Sequence, residues 1–177
     1  MLDTLKTLTL NQYEAALCTL NACIDRCPES SWHARVANYL FSQLAFHTLI
    51  FTDLYLGGDE ESIRRQPFHV ANAQVFGDYE EFADRPPRNR YERAWVKQYL
   101  EHCRRKAAEV IASETAETLA GPSGFDWRKF TRAELHVYNI RHIQHHAAQL
   151  SLRLRLDHGL DIPWVGSGWR ELPMPSA

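Results

Sequence analysis

The chain has 177 residues, 45% of them apolar, which suits one domain with a full hydrophobic core. Its 20 Lys and Arg against 22 Asp and Glu leave it nearly neutral, so nucleic acid is not an expected partner. It has neither an apolar run of membrane-spanning length nor a basic, then apolar N-terminus, so the sequence predicts no membrane span, no secretory leader and a cytoplasmic location.

Four long segments read as helices. In the first, about residues 10–26, Leu10, Tyr13, Leu17, Leu20 and Ile24 recur at steps of three and four, and Pro28 ends the run. Cys18, Cys23, Cys27 and Cys103 have no C-x-x-C spacing, so reduced, buried thiols are expected rather than metal ligands. The second helix, about 32–56, is apolar nearly all round and closes at Gly57-Gly58, which makes it the most buried. The third, about 89–119, follows Pro86-Pro87, with Asn89 as N-cap and Glu92 three residues on, and stops at Gly121-Pro122. The fourth, about 131–157, opens on the capping-box pattern Thr131-Arg-Ala-Glu134.

The tail, 158–177, is rich in Gly and Pro and reads as irregular, and the short charge runs 59–61 and 104–106 read as solvated faces. No run alternates with a period of two, so no sheet is expected and the class is all-α, one domain over 1–177. Short joins between helices one and two and between three and four suit antiparallel neighbours. The long connection 57–88 suits a crossover or a lid, giving an up-down-down-up four-helix bundle with that crossover between helices two and three.

The fourth helix carries RHIQHHAAQL, residues 141–150. His142 and His146 are i, i+4 neighbours, a spacing by which two imidazoles on one helix face hold one metal ion, while His145 lies ~100° round the helix. A third ligand must come from another helix, and His47 is the candidate, set among Leu44, Phe46 and Ile50. At ~1.5 Å per residue His47 falls ~22 Å along its predicted helix and the His pair ~17–22 Å along theirs. Mid-points of antiparallel helices meet at one level. A lone core His is more often only hydrogen-bonded, but the three at one height favour a metal.

His47 followed by His142-x-x-x-His146 resembles the DinB-like superfamily of bacterial four-helix-bundle metalloproteins, over about residues 10–157. That superfamily includes YfiT-type hydrolases and thiol-dependent S-transferases. The resemblance implies an up-down-down-up bundle, one divalent metal held by His47, His142 and His146, and frequent homodimers. It makes His145 the non-ligating neighbour and Gln149 the Gln that follows the last ligand by three. Many relatives read His-Arg-Gly-Gln where this chain reads His146-Ala147-Ala148-Gln149, so the Arg has no counterpart here.

Three neutral imidazoles leave the metal's charge uncompensated and a position open, a combination that activates water or a thiol. They suit zinc first, then nickel, iron or copper, over magnesium or calcium. Asn139, Tyr138, Gln43 and Asp53 are candidate acceptors behind the imidazoles. Phe68, Phe76, Tyr79, Phe82, Trp164 and Trp169 are candidate pocket walls, with packing under the long loops as the plainer reading. The absence of H-E-x-x-H, of a glutamate at His145 and of Glu-x-x-His excludes familiar zinc peptidases and a di-iron centre. Two classes remain. One is a metal-dependent hydrolase or S-transferase acting on a small-molecule substrate with water or a low-molecular-weight thiol; the other is a non-enzymatic metal-binding stress-response or scaffold protein.

Overall fold

The computed structural model describes residues 1–77, 79–83, 85 and 87–172. Helix α1 spans Leu2–Arg26 and α2 spans Phe41–Leu56, separated by a 3-10 turn, Glu29–Ser31, and a hairpin of β1, Arg35–Val36, with β2, Tyr39–Leu40. Three short helices follow, α3 (Ser62–Arg65), α4 (Pro67–Ala71) and α5 (Ala73–Phe76), then a 3-10 turn, Glu80–Phe82. The chain closes with α6 (Arg93–Ser113), α7 (Ala116–Ala120) and α8 (Arg132–His158). The class is all-α.

Four predicted boundaries move, each for a local reason. The first helix starts well before residue 10, but Leu5 and Leu8 are exposed, so the added turns carry no apolar stripe that periodicity could register. Residues 32–40, expected as helix, turn back at Ala37, whose positive φ of 54° no helix accommodates, and Trp32 is held in place by its indole donating to the Tyr91 carbonyl at 2.8 Å. The third helix begins at Arg93 because Glu80 takes the Arg88 and Asn89 backbone amides at 2.9 and 2.7 Å. It ends at Ser113, where Glu114 is in extended backbone and receives Arg132 and His136 at 2.9 and 3.0 Å. Helix α8 fits its expected span, with the Thr131 hydroxyl accepting from the Glu134 amide at 3.2 Å.

The four long helices pack about one core. Helix α1 runs with α8, since Tyr13 meets His136 and Cys23 meets Ala147, and against α6, since Glu14 meets Arg104 and Asp25 meets Lys97. Helix α2 does the reverse. Its Thr52 carbonyl accepts from Asn139 of antiparallel α8, while its Leu49 carbonyl and Asp53 meet Cys103 and Lys106 of parallel α6. The principal helix contacts are therefore α1 and α2 each against α6 and α8, not the consecutive pairs that the short joins suggested. Arg132 ties α8 to the end of α2 by donating to the carbonyls of Tyr55, Leu56 and Gly57, which no intrahelical amide can satisfy.

The described residues of the connection 57–88 form short helices and turns, and one buried carboxylate anchors them. Asp53 of α2 accepts from His69 of α4 at 2.7 Å, from Tyr99 of α6 at 3.0 Å and from Gln66 at 3.1 Å, and also from Lys106. Burial alone would raise the Asp53 carboxyl, but the contacts with His102, His69 and Lys106 outweigh it and hold the group well below the usual carboxylate range. Lys106, expected on a solvated face, points inward to this group. The tail returns along α1, where the Gly168 amide donates to the Asn11 carbonyl at 3.0 Å and Val165 packs on Ala15 and Cys18; residues 173–177 lie outside the described residues.

All four cysteines are buried and free, and burial pushes the Cys23 thiol up to about 12, so it is not poised to react. Among the described residues no helix is long and apolar enough to cross a membrane.

Candidate metal centre

Antiparallel packing of α2 on α8 brings His47 opposite one turn of α8. Its ring centroid stands 5.7 Å from that of His142 and 5.0 Å from that of His146, while the two α8 rings are 4.6 Å apart. One nitrogen from each of the three lies within 4.8 Å of the others, a group that could hold a metal ion. The three residues that spacing singled out therefore converge. Helix two starts at Phe41 rather than 32, yet His47 still falls near its middle, which is why the height argument survives a wrong boundary.

The Nδ1 atoms set the tautomers. His47 Nδ1 sits 2.8 Å from Glu81 Oε2, and a carboxylate only accepts, so Nδ1 carries the proton and Nε2 keeps its lone pair free. His146 Nδ1 donates to Gln149 Oε1 at 2.9 Å, leaving Nε2 free in the same way, and the Gln149 amide donates onward to His145 Nε2 at 3.1 Å. His142 Nδ1 is buried with no hydrogen-bond partner among the described residues. Two imidazoles with fixed tautomers and a third with an unsatisfied buried nitrogen form a donor set that fits a borderline transition metal.

Burial, with the neighbouring His146, His47, His145 and Arg128 adding to it, lowers His142 to about 2. Burial chiefly lowers His146 to about 4, with His47 and His145 adding and the Gln149 contact opposing. Burial also lowers His69 and His136. Each lies below the ordinary histidine value of about 6.5, so the fold favours the neutral ring. That stability is complete above pH 6.5 and is lost as pH falls towards about 4 for His146 and about 2 for His142. Urea midpoints of the metal-free protein are therefore expected to fall from pH 6.5 to pH 4.5, before most carboxylates titrate. His142→Gln should flatten that slope, and a midpoint constant over the window would contradict the assignment.

The candidate acceptors named from sequence do not stand behind the imidazoles. Asn139 donates to Thr52, Tyr138 receives from Arg128, Gln43 caps the start of α2 and Asp53 anchors the connection. Glu81, in a connection with no helical periodicity to flag it, takes that place on His47. Its side chain is only 1% exposed and its Oε1 is buried without a partner among the described residues. The only available signal was acidic charge in a long connection, which is common on any surface.

Of the expected aromatic walls, Phe82 reaches the rings beside the histidines, 5.7 Å from Phe51. Phe51 itself lies 4.8 Å from His47, with Tyr39 at 5.4 Å, and Tyr55 stands edge-on to His142 at 6.4 Å. Phe68 and Phe76 instead stack on His102 and His69, Tyr79 bonds His69, Trp169 packs under Arg104, and Trp164 is 78% exposed.

A family model described as the DinB superfamily matches residues 12–150, a span that includes all three histidines. No curated protein and no solved structure matches the chain.

Proposed function

The chain belongs to the DinB superfamily, and on that premise we propose that it is a metal-dependent enzyme whose His47, His142 and His146 hold one divalent transition metal, zinc first. The observation that carries this reading is the convergence of three imidazole donors within 4.8 Å of one another, from two helices far apart in sequence. The up-down-down-up four-helix bundle belongs to the same reading, and the parallel and antiparallel senses of the four helix pairings support it.

Bound there, zinc supplies the Lewis acidity that makes water or a low-molecular-weight thiol a nucleophile near neutral pH. The chain's own residues supply the rest. Glu81 and Gln149 hold the Nδ1 protons of His47 and His146, so both rings present Nε2 inward at no cost of tautomer change. Phe51, Tyr39 and Tyr55 pack beside the rings and hold them in place, while the three histidines stay part-exposed and so within reach of a substrate. The reaction class is hydrolysis or thiol S-transfer to an electrophile.

The test is turnover by the zinc-loaded chain of small esters and of thiol–electrophile pairs, beside His146→Ala treated identically. Turnover that the variant loses supports the enzyme. A protein that binds one zinc tightly yet turns over neither class would overturn it in favour of a metal-binding scaffold.

A further inference from the structure

His142 faces two ways. One side belongs to the histidine cluster, and the other lines a groove of about 550 Å³ with Tyr138, Arg141, Gln144 and His145. Behind Tyr138, on the wall of a separate hollow lined by residues of the 120–131 loop, stands an arginine whose surroundings differ from those of its part-buried counterparts. Arg132, Arg104 and Arg85 each meet a carboxylate. Arg128 is part-buried and meets none within 4.0 Å among the described residues, nor does the exposed Arg141. Instead Arg128 Nη2 donates to the hydroxyls of Tyr138 and Tyr55, at 2.7 and 3.3 Å, and the guanidinium lies 4.6 Å from the Tyr138 ring centroid. Its Nε is buried without a partner among the described residues.

A part-buried guanidinium with no counter-ion and an unmet donor is costly, and folds usually remove such a group or pair it. Here two phenols hold its plane fixed through Nη2, so an anion can meet the remaining Nη1 donors of a preorganised guanidinium with little further loss of side-chain entropy. Tyr55 links this fork to the histidines, since its ring stands 5.4 Å from Tyr138 and 6.4 Å from His142. We propose that Arg128, positioned by Tyr55 and Tyr138 beside the histidine groove, is an anion-binding subsite, so that the substrate is a small molecule bearing a carboxylate or phosphate. This rests on the histidine cluster being the reactive centre, because the subsite earns its place by orienting a ligand towards it.

The probes are inorganic phosphate and acetate, titrated at constant ionic strength into the metal-free and the zinc-loaded full chain. The Arg128 Nε–H resonance of the unmutated protein is followed by NMR, so the result does not depend on a variant folding. A saturable shift of that resonance is expected, with phosphate affinity about tenfold weaker in Arg128→Gln, as expected for loss of charge-assisted hydrogen bonds. Arg128→Lys, which keeps the charge but not the fork, should fall between them. Acetate distinguishes the headgroup: the stronger of the two responses names it, and either supports the subsite. An Arg128 resonance unmoved by both anions, or equal phosphate affinity in Arg128→Gln, would overturn the subsite whatever the metal does. A chain that takes up no zinc yet binds phosphate through Arg128 would keep the subsite and remove the metal centre.

Discussion

Asp53→Ala is expected to lower the unfolding free energy by about 3–5 kcal/mol, the usual loss when one partner of a buried ion pair is removed. Asp53 is fully buried and gathers Gln66 and His69 from the start of α4 and Tyr99 and Lys106 from α6. Without it, the Lys106 ammonium loses its carboxylate partner in a part-buried site, and α4 loses its tie to α2. Removing both charges with Asp53→Ala and Lys106→Met should cost less than the single change, because no uncompensated cation remains. Urea unfolding followed by far-UV circular dichroism checks both. A single-variant loss within about 0.5 kcal/mol of zero, the range of an ordinary surface substitution, would show that this cluster does not anchor the connection.

Glu81→Ala should weaken zinc binding by about 10–100-fold while leaving the helical content unchanged, as expected when the acceptor behind a ligating imidazole is lost. The carboxylate fixes His47 in the tautomer that presents Nε2, and it also places a negative charge one hydrogen bond from the centre. The sequence-based picture of an uncompensated three-imidazole site is corrected by that charge. Glu81→Gln keeps an acceptor but not the charge, so the gap between the two variants separates orientation from electrostatics. Competition with a chelator of known affinity measures both. If both variants bind zinc as tightly as the parent, Glu81 is a spectator.

Much of this arrangement was legible in the residue pattern. The His142/His146 spacing, the apolar setting of His47 and the long connection after helix two are period and length signals, which survive errors of several residues at a boundary. What escaped depends on side chains meeting across the fold. Glu81 lies 34 residues beyond His47, and no local pattern reports that its carboxylate turns inward. Lys106 sits in a basic run that reads as solvated until Asp53 is seen opposite it. The hairpin at 35–40 reads as helix in sequence because Val36, Tyr39 and Leu40 continue an apolar run, while a left-handed Ala37 has no signature in composition. The packing of non-consecutive helices follows from which faces are apolar and complementary, a property of four helices together rather than of two and the loop between them.

The central claim is that His47, His142 and His146 act as one site for one metal ion. The most direct test is inductively coupled plasma mass spectrometry on tag-free protein dialysed after zinc loading, for the parent chain, His47→Ala and His142→Ala. The parent is predicted to retain one zinc per chain and each variant to lose it, with far-UV circular dichroism unchanged. A parent that retains no zinc, or variants that retain as much as the parent, would contradict the site.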